Sequence, residues 1–335
     1  MKKKLNKKRP AVCVVGGAGY VGSRLVPELN RLGYPVTVVD LCWFGNHLNQ
    51  SVKVVKKDAL HLEPDFYKPF GAVIFLAGLS NDPMAEFSPA LNFVSNVAVP
   101  ASVAHNAKRA GVRRFIYADT CSSYGHTQGE ESTEESPALP HYPYGISKVQ
   151  GNRAVMALMD NAFSVIALRQ GTICGASPRS RFDLLVNTLY KAASIDRTIT
   201  VHNPATWRPL LAMEDAVAGF VGALSAPTDV SGTFNISSEN ITVGEVAQIV
   251  ADHFRERHGI KVAVVNNNVR DMRDYKVTTD KAAKILGIKP RGSVKSVLME
   301  LDAQYGPSFD FMDDNYYNIA VFKKLLENRK PTSII

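Results

Sequence analysis

The segment VVGGAGYVGSRL sets Gly16, Gly19 and Gly22 at intervals of three, between an apolar run at residues 11–15 and an amphipathic stretch at 20–32. A strand, a glycine turn and a helix in that order let the backbone turn tightly and approach a pyrophosphate, whose charge the helix N-terminus favours. Further apolar runs follow at 36–39, 52–55, 72–76, 114–118 and 164–168, separated by helical patterns at 91–110 and 144–159. Val/Ile-rich runs alternating with helices predict a parallel sheet covered on both faces, closed by right-handed crossovers into a doubly wound α/β Rossmann fold. Beyond about Gly175 the pattern loosens. Helices are expected at 216–224, 243–254, 281–286 and 313–329, and a strand at 261–265. The expected division is a basic leader at 1–10, a dinucleotide-binding domain at 11–175 to which 208–236 returns, and a smaller α/β substrate-binding lobe with a C-terminal helix at 176–335.

Charge narrows the partners. The chain carries 39 basic and 31 acidic residues, a formal net charge of +8. Six of the bases (Lys2, Lys3, Lys4, Lys7, Lys8 and Arg9) sit in the leader, which leaves 33 against 31 and a nearly neutral body. A solvated leader is the plain reading, and nucleic acid is not an expected partner of the body. No apolar run approaches the roughly 20 residues of a membrane span, so no membrane partner is expected. Cys13, Cys42, Cys121 and Cys174 form no C-x-x-C pair and cluster with no histidine at zinc spacing. Reduced thiols in a cytoplasmic protein without a metal are the expectation.

Two motifs carry chemistry. Asp40 ends the second predicted strand, 18 residues after Gly22, near the distance at which an acid binds a ribose 2′-hydroxyl. Its carboxylate would repel a 2′-phosphate by about 4 kcal/mol at 4 Å and an effective dielectric of 20. No arginine directly follows it, since Leu41, Cys42 and Trp43 come next. NAD is therefore the expected cofactor, not NADP. Tyr144-Gly-Ile-Ser-Lys148 opens a predicted helix, with the tyrosine and lysine on one face. A free tyrosine is a poor base at pH 7, and a nearby ammonium lowers the cost of the phenolate. Thr120, in the strand end Asp119-Thr120-Cys121-Ser122-Ser123-Tyr124-Gly125, lies where ligands of parallel sheets bind and is placed to bond a reacting oxygen.

Together these residues resemble the extended short-chain dehydrogenase/reductase family, in its nucleotide-sugar epimerase and dehydratase branch, from about residue 11 to about 301. The resemblance implies cofactor contacts from Gly16, Gly19, Tyr20, Val21, Gly22, Asp40, Asp58, Ala59, Leu76, Ala77, Gly78, Asn96, Tyr144 and Lys148. It implies Tyr144, Lys148 and Thr120 as the catalytic set, with Gly78 where alanine is usual. Substrate contacts are implied for Ser80, Thr120, Cys121, Ser122, Thr172, Arg181, Arg208 and Arg270, with Thr172 in place of the family's asparagine. Arg208 resembles the arginine that holds the diphosphate, Arg270 and Arg273 a second one, and Arg179 and Arg181 lie in a loop over the nucleotide. Relatives that eliminate water carry an acid after the catalytic hydroxyl, where this chain has Cys121 and Ser122. Epimerisation at carbon 4 of a nucleoside-diphosphate sugar, by oxidation to a ketosugar and re-reduction, is thus expected. A 4,6-dehydratase and a 4-ketosugar reductase are the enzymatic alternatives. A cofactor-sensing or RNA-binding member of the fold is the alternative of another class, although such relatives tend to lose the Tyr–Lys pair. Helices at 91–110 and 144–159 would pair with their copies in a homodimer.

Overall fold

The computed structural model describes residues 9–267, 273–305 and 309–327; the leader through Lys8 and Arg270 lie outside the described residues. Seven parallel strands form the central sheet: β1 (Val12–Val15), β2 (Val36–Asp40), β3 (Lys53–Lys56), β4 (Ala72–Phe75), β5 (Arg114–Thr120), β7 (Ser164–Gln170) and β11 (Gly232–Ile236). Their order is β11-β7-β5-β4-β1-β2-β3. Chain direction reverses its march between β1 and β4, the crevice where such sheets bind ligands. All four residues of β1 and of β4 are buried, which explains their unbroken apolar runs.

Helices α1 (Gly22–Arg31) and α8 (Met213–Ser225) cover one face. The other takes α2 (Pro64–Tyr67), α5 (Val99–Arg109) and α6 (Pro143–Met156). Each face carries its own apolar cluster, with Ile74, Ile116, Ile166 and Leu168 on one side and Phe75, Phe115, Tyr117 and Val165 on the other. Two helices at residues 80–93, α3 (Asp82–Phe87) and α4 (Pro89–Phe93), precede α5. The single helix expected at 91–110 is interrupted by a π turn, Val94–Ala98. Pro100 has no N–H to give the carbonyl four residues back, at Asn96. That carbonyl instead accepts from the Tyr117 hydroxyl at 3.2 Å.

The remaining elements build a second cluster around Phe182, Tyr190, Val246, Phe254 and Leu298. Its contributors are β8 (Thr172–Cys174), α7 (Leu185–Ile195), β9 (Thr198–His202), β10 (Trp207–Ala212), β12 (Glu239–Thr242), α9 (Val243–His258) and α11 (Val294–Gln304), while β13 (Ala263–Asn267) is exposed and α12 (Asn318–Glu327) packs on α3. In the sheet β12-β10-β8, β10 pairs parallel with β8 and antiparallel with β12, and β13 pairs with β9. Strand β6 (His126–Ser132) pairs with β14 (Asp274–Val277), and α10 (Asp280–Leu286) follows. Arg24 of α1 ties the two clusters together by bonding Glu300 at 2.5 Å and the Ala176 carbonyl at 2.7 Å. No helix among the described residues is long and apolar enough to cross a membrane.

Candidate active site

A cavity of about 430 Å³ opens at the carboxyl ends of β1, β2, β4, β5 and β7. At one end is the glycine turn. Gly16 has φ +81°, and a Cβ there would stand 2.5 Å from the Ala77 nitrogen, so only glycine lets the two backbones meet. Helix α1 begins at Gly22 with no acidic residue in its first turn, which leaves its N-terminal field free for an anion. Asp40, Asp58 and Ala59 line the same end. Both Asp40 oxygens accept backbone N–H groups, Oδ2 from Ala18 at 2.9 Å and Oδ1 from Cys42 at 2.7 Å. Asp40 thus anchors the glycine turn to the end of β2 and faces the cavity as well. Burial raises its carboxyl, while these amides act in the opposite sense. Asp58 caps the following turn through the Leu60 N–H at 2.9 Å.

The glycine turn, the adjoining helix N-terminus and an acid at the end of β2 together fit the diphosphate and ribose of a dinucleotide. Tyr20, Val21, Leu76, Ala77, Gly78 and Asn96 line the continuous wall between this end and the Tyr–Lys pair. The glycine at 78 has a local cause. Its φ is +145°, and the space a Cβ would take holds Asn96 Oδ1. The Asn96 amide bonds the Leu79 carbonyl at 2.9 Å, Asn92 Oδ1 at 2.8 Å and Ser147 Oγ at 3.1 Å, tying the π turn to α6. Asp40→Ala is expected to narrow the preference for NADH over NADPH, read as the ratio of their dissociation constants. An unchanged ratio would mean that the ribose sits elsewhere.

At the far end Thr120, Tyr144 and Lys148 line the cavity together. Lys148 is 5% exposed and meets no carboxylate directly. Its ammonium donates to the Ala118 carbonyl at 2.5 Å and lies 4.0 Å over the Tyr117 ring. Burial pulls its pKa down to about 8, with Asp119 acting against that. Burial pushes the Tyr144 phenol well up, Asp119 and Asp82 add to this, and Arg181 and a Thr120 hydrogen bond oppose it.

Asp119 sits among these groups with its side chain fully buried. Its Oδ2 accepts from Asn152 at 2.6 Å and from Arg169 Nε at 3.2 Å. Its Oδ1 has no partner. Asn152 lies four residues beyond Lys148 on α6, and Arg169 is the β7 residue in register with Asp119.

The implied substrate residues divide. Ser80, Thr120, Ser122, Thr172 and Arg181 line the cavity. Arg181 grips Asp183 with both arms, Nε at 2.9 Å and Nη2 at 3.0 Å, and reaches Ser80 Oγ at 3.2 Å. Cys121, expected to touch the substrate, does not line the cavity. Its thiol is 1% exposed, donates to the Arg169 carbonyl at 3.2 Å, and is pushed up by burial. It packs with Tyr124, Tyr275 and Val277. Arg208 is also outside the lining residues; its guanidinium bonds the carbonyls of Trp207 and Arg273 and lies 5.6 Å from the Tyr275 ring. Arg179, expected in a loop over the nucleotide, lines the cavity, and Tyr275, Gln170 and Asn318 line it without having been expected there. Tyr275 OH is 3.1 Å from Ser122 Oγ. It reaches the site by β14 pairing with β6, a contact between segments with no shared periodicity.

Away from the cavity, His253, His258 and Asp302 bring their ligand atoms within 4.8 Å of one another. The Asp302 carboxylate is also taken by the Tyr190 hydroxyl at 2.9 Å and by Arg257 at 3.5 Å. A guanidinium beside it opposes a metal cation, and the group reads as an ion-pair knot between α9 and α11.

A family model described as "NAD dependent epimerase/dehydratase family" matches residues 12–237, about two thirds of the chain. A "UDP-glucose 4-epimerase" of Lactobacillus helveticus is 26% identical over 316 residues, 84% of this chain and 92% of that protein. A "UDP-glucose 4-epimerase 4" of Oryza sativa subsp. japonica is 30% identical over 185 residues, half of each chain. Among solved structures, "MoeE5 in complex with UDP-glucuronic acid and NAD" superposes with a TM-score of 0.77 at 25% identity, covering 87% of this chain and 97% of that one. A UDP-glucose 4-epimerase of Thermotoga maritima, solved with UDP-glucose, gives 0.77 at 20% identity, over 94% and 99%, a likeness of fold.

Proposed function

Because the chain belongs to the NAD-dependent epimerase/dehydratase family, we propose that it is an epimerase inverting carbon 4 of a nucleoside-diphosphate sugar. The observation that carries this reading is the position after the catalytic hydroxyl. Thr120 is followed by Cys121 and Ser122, and Cys121 is turned into the core. The acids lining the cavity are Asp40 and Asp58 at the glycine-turn end and Asp119, held by Arg169 and Asn152. Expelling water from a sugar needs a proton donor on the leaving hydroxyl, and at the two positions after Thr120, where that donor is expected, the chain has Cys121 and Ser122. Inverting a carbinol needs only a base that returns its proton.

When bound, NAD supplies the hydride acceptor and donor. Tyr144 takes the carbinol proton and later gives it back. Thr120 hydrogen-bonds the same oxygen and keeps it within reach of Tyr144. Lys148, its charge favoured by Asp119, stabilises the phenolate through the enclosed, low-dielectric cavity. The wall formed by Gly16, Asp40, Leu76 and Gly78 holds the dinucleotide, and Ser80, Thr172 and Arg181 face the sugar nucleotide.

The test is incubation with a panel of UDP-, GDP-, CDP- and dTDP-sugars, followed by mass and NMR. Unchanged mass, inverted stereochemistry and no net cofactor use support the reading. Loss of one water, or consumption of added NADH, overturns it. We also place the partner copy on the helical stretches 91–110 and 144–159, where Phe93 of α4 and Val94 of the π turn are exposed. Light scattering is expected to give a dimer; a monomeric mass at micromolar concentration would contradict it.

A further inference from the structure

Arg179 is a buried cation whose neighbours are mostly neutral. It is 2% exposed and lines the cavity. Its Nη2 donates to Asn318 Oδ1 at 2.5 Å and to the Asn315 carbonyl at 3.4 Å, and its guanidinium stacks 3.9 Å from the Phe44 ring centre. Its Nε has no partner. The carboxylate nearest in sequence, Asp183, is gripped by Arg181. Burial and repulsion from Arg181 pull Arg179 down to about 9, while Asp183, Tyr20 and Asp40 act in the opposite sense. A desolvated guanidinium that lines a cavity and keeps part of its hydrogen-bonding capacity unused is suited to an anion. The Phe44 ring, four residues past Asp40, and the electrostatic neighbours Asp40 and Tyr20 place it at the glycine-turn end of the cavity.

Helix α12 holds this arginine. Asn318, 4% exposed, bonds Arg179 through its oxygen and Ser80 Oγ through its nitrogen at 2.8 Å. Phe322, one turn further on, is 1% exposed. It packs against Trp43 and Phe87 at ring separations of 5.9 and 6.1 Å, in one cluster with Leu79 and Met84. One helix therefore bridges the loop after β2 and the loop after β4, the two banks of the crevice.

We propose that Arg179 is a ligand for the diphosphate of the bound dinucleotide, and that α12, through Asn318 and Phe322, is a strap that fixes Arg179 and slows cofactor release. This rests on the reading of the cavity as an NAD site. It also suits that reading, because a cofactor that takes and returns the same hydride must stay bound between the two transfers.

The test is NADH binding and release on the full chain, read by fluorescence titration and by stopped-flow displacement with excess NAD. It needs no turnover, so its outcome is separate from that of the sugar panel. Arg179→Gln is expected to raise the NADH dissociation constant by about tenfold or more, the worth of one charge-assisted hydrogen bond. Arg179→Lys, which keeps the buried charge, recovers part of it. Asn318→Ala and Phe322→Ala are expected to speed NADH release several-fold. Wild-type NADH affinity in Arg179→Gln overturns the ligand assignment. Weakened UDP binding with NADH binding intact also overturns it, since the arginine then serves the sugar nucleotide. Wild-type release rates in both α12 variants overturn the strap. Where Arg179→Gln fails to fold, Arg179→Lys and the α12 variants decide the same question.

Discussion

Tyr144→Phe is expected to lower turnover by about 10²- to 10⁴-fold, the range of one positioned acid–base group, while NADH binding is retained. The variant keeps the ring and loses only the hydroxyl. The wall that receives the dinucleotide is built by other residues: the turn at Gly16, the carboxylate of Asp40 and the crossing of Gly78 with Asn96. The fold should tolerate the change, since the hydroxyl's partner, Thr120, also receives the Ser122 N–H at 3.2 Å. Isotope washout or NMR on the accepted sugar, beside NADH fluorescence titration, checks both halves. Full turnover in the variant would remove Tyr144 from the chemistry. Lost NADH binding would mean that its role is structural.

That pair was legible because its chemistry is local in sequence. Tyr144 and Lys148 are four apart on one helix, and Gly16, Gly19 and Gly22 share one turn. The strands of the central sheet were legible for a related reason: burial on both faces leaves β1, β4 and residues 165–168 of β7 as continuous apolar runs. What was not legible is what the fold brings together across the chain. Strand β6 reads HTQGEES, without apolar alternation, and exists because β14 pairs with it more than 140 residues later. Ser80 and Asn318 meet across 238 residues. The break in the helix at 91–110 had a visible signal in Pro100, but its consequence depended on the Tyr117 hydroxyl being there to take the released carbonyl. Cys121 was placed near the substrate by its adjacency to Thr120. Strand and turn geometry sends neighbouring side chains to different sides, and Cys121 went to the core.

Asp119 is the residue whose removal should cost the most outside the reacting groups. Its carboxylate is fully buried, and its guanidinium partner Arg169 is 10% exposed. Removing one member of such a pair strands the other, at about 3–5 kcal/mol, so Asp119→Ala should melt well below the wild type. Arg169 would keep only the Tyr124 hydroxyl at 2.9 Å. Asp119→Asn keeps the shape and removes the charge, which separates catalysis from stability. The groups facing Lys148 are then the Tyr117 ring and the Ala118 carbonyl, and no carboxylate offsets burial. Asp119 raises the lysine in the wild type, so its loss lowers Lys148 below about 8. Activity needs the ammonium, which is present below the lysine's pKa and lost as pH rises through it. The alkaline limb of kcat/KM should therefore move to lower pH in Asp119→Asn, and the acid limb should move the same way, because Asp119 also raises the Tyr144 phenol. A wild-type profile in a folded Asp119→Asn protein would show that the carboxylate only holds β5 to β7. An alkaline limb displaced downward, with the sugar KM little changed, would assign it to keeping Lys148 charged beneath the tyrosine.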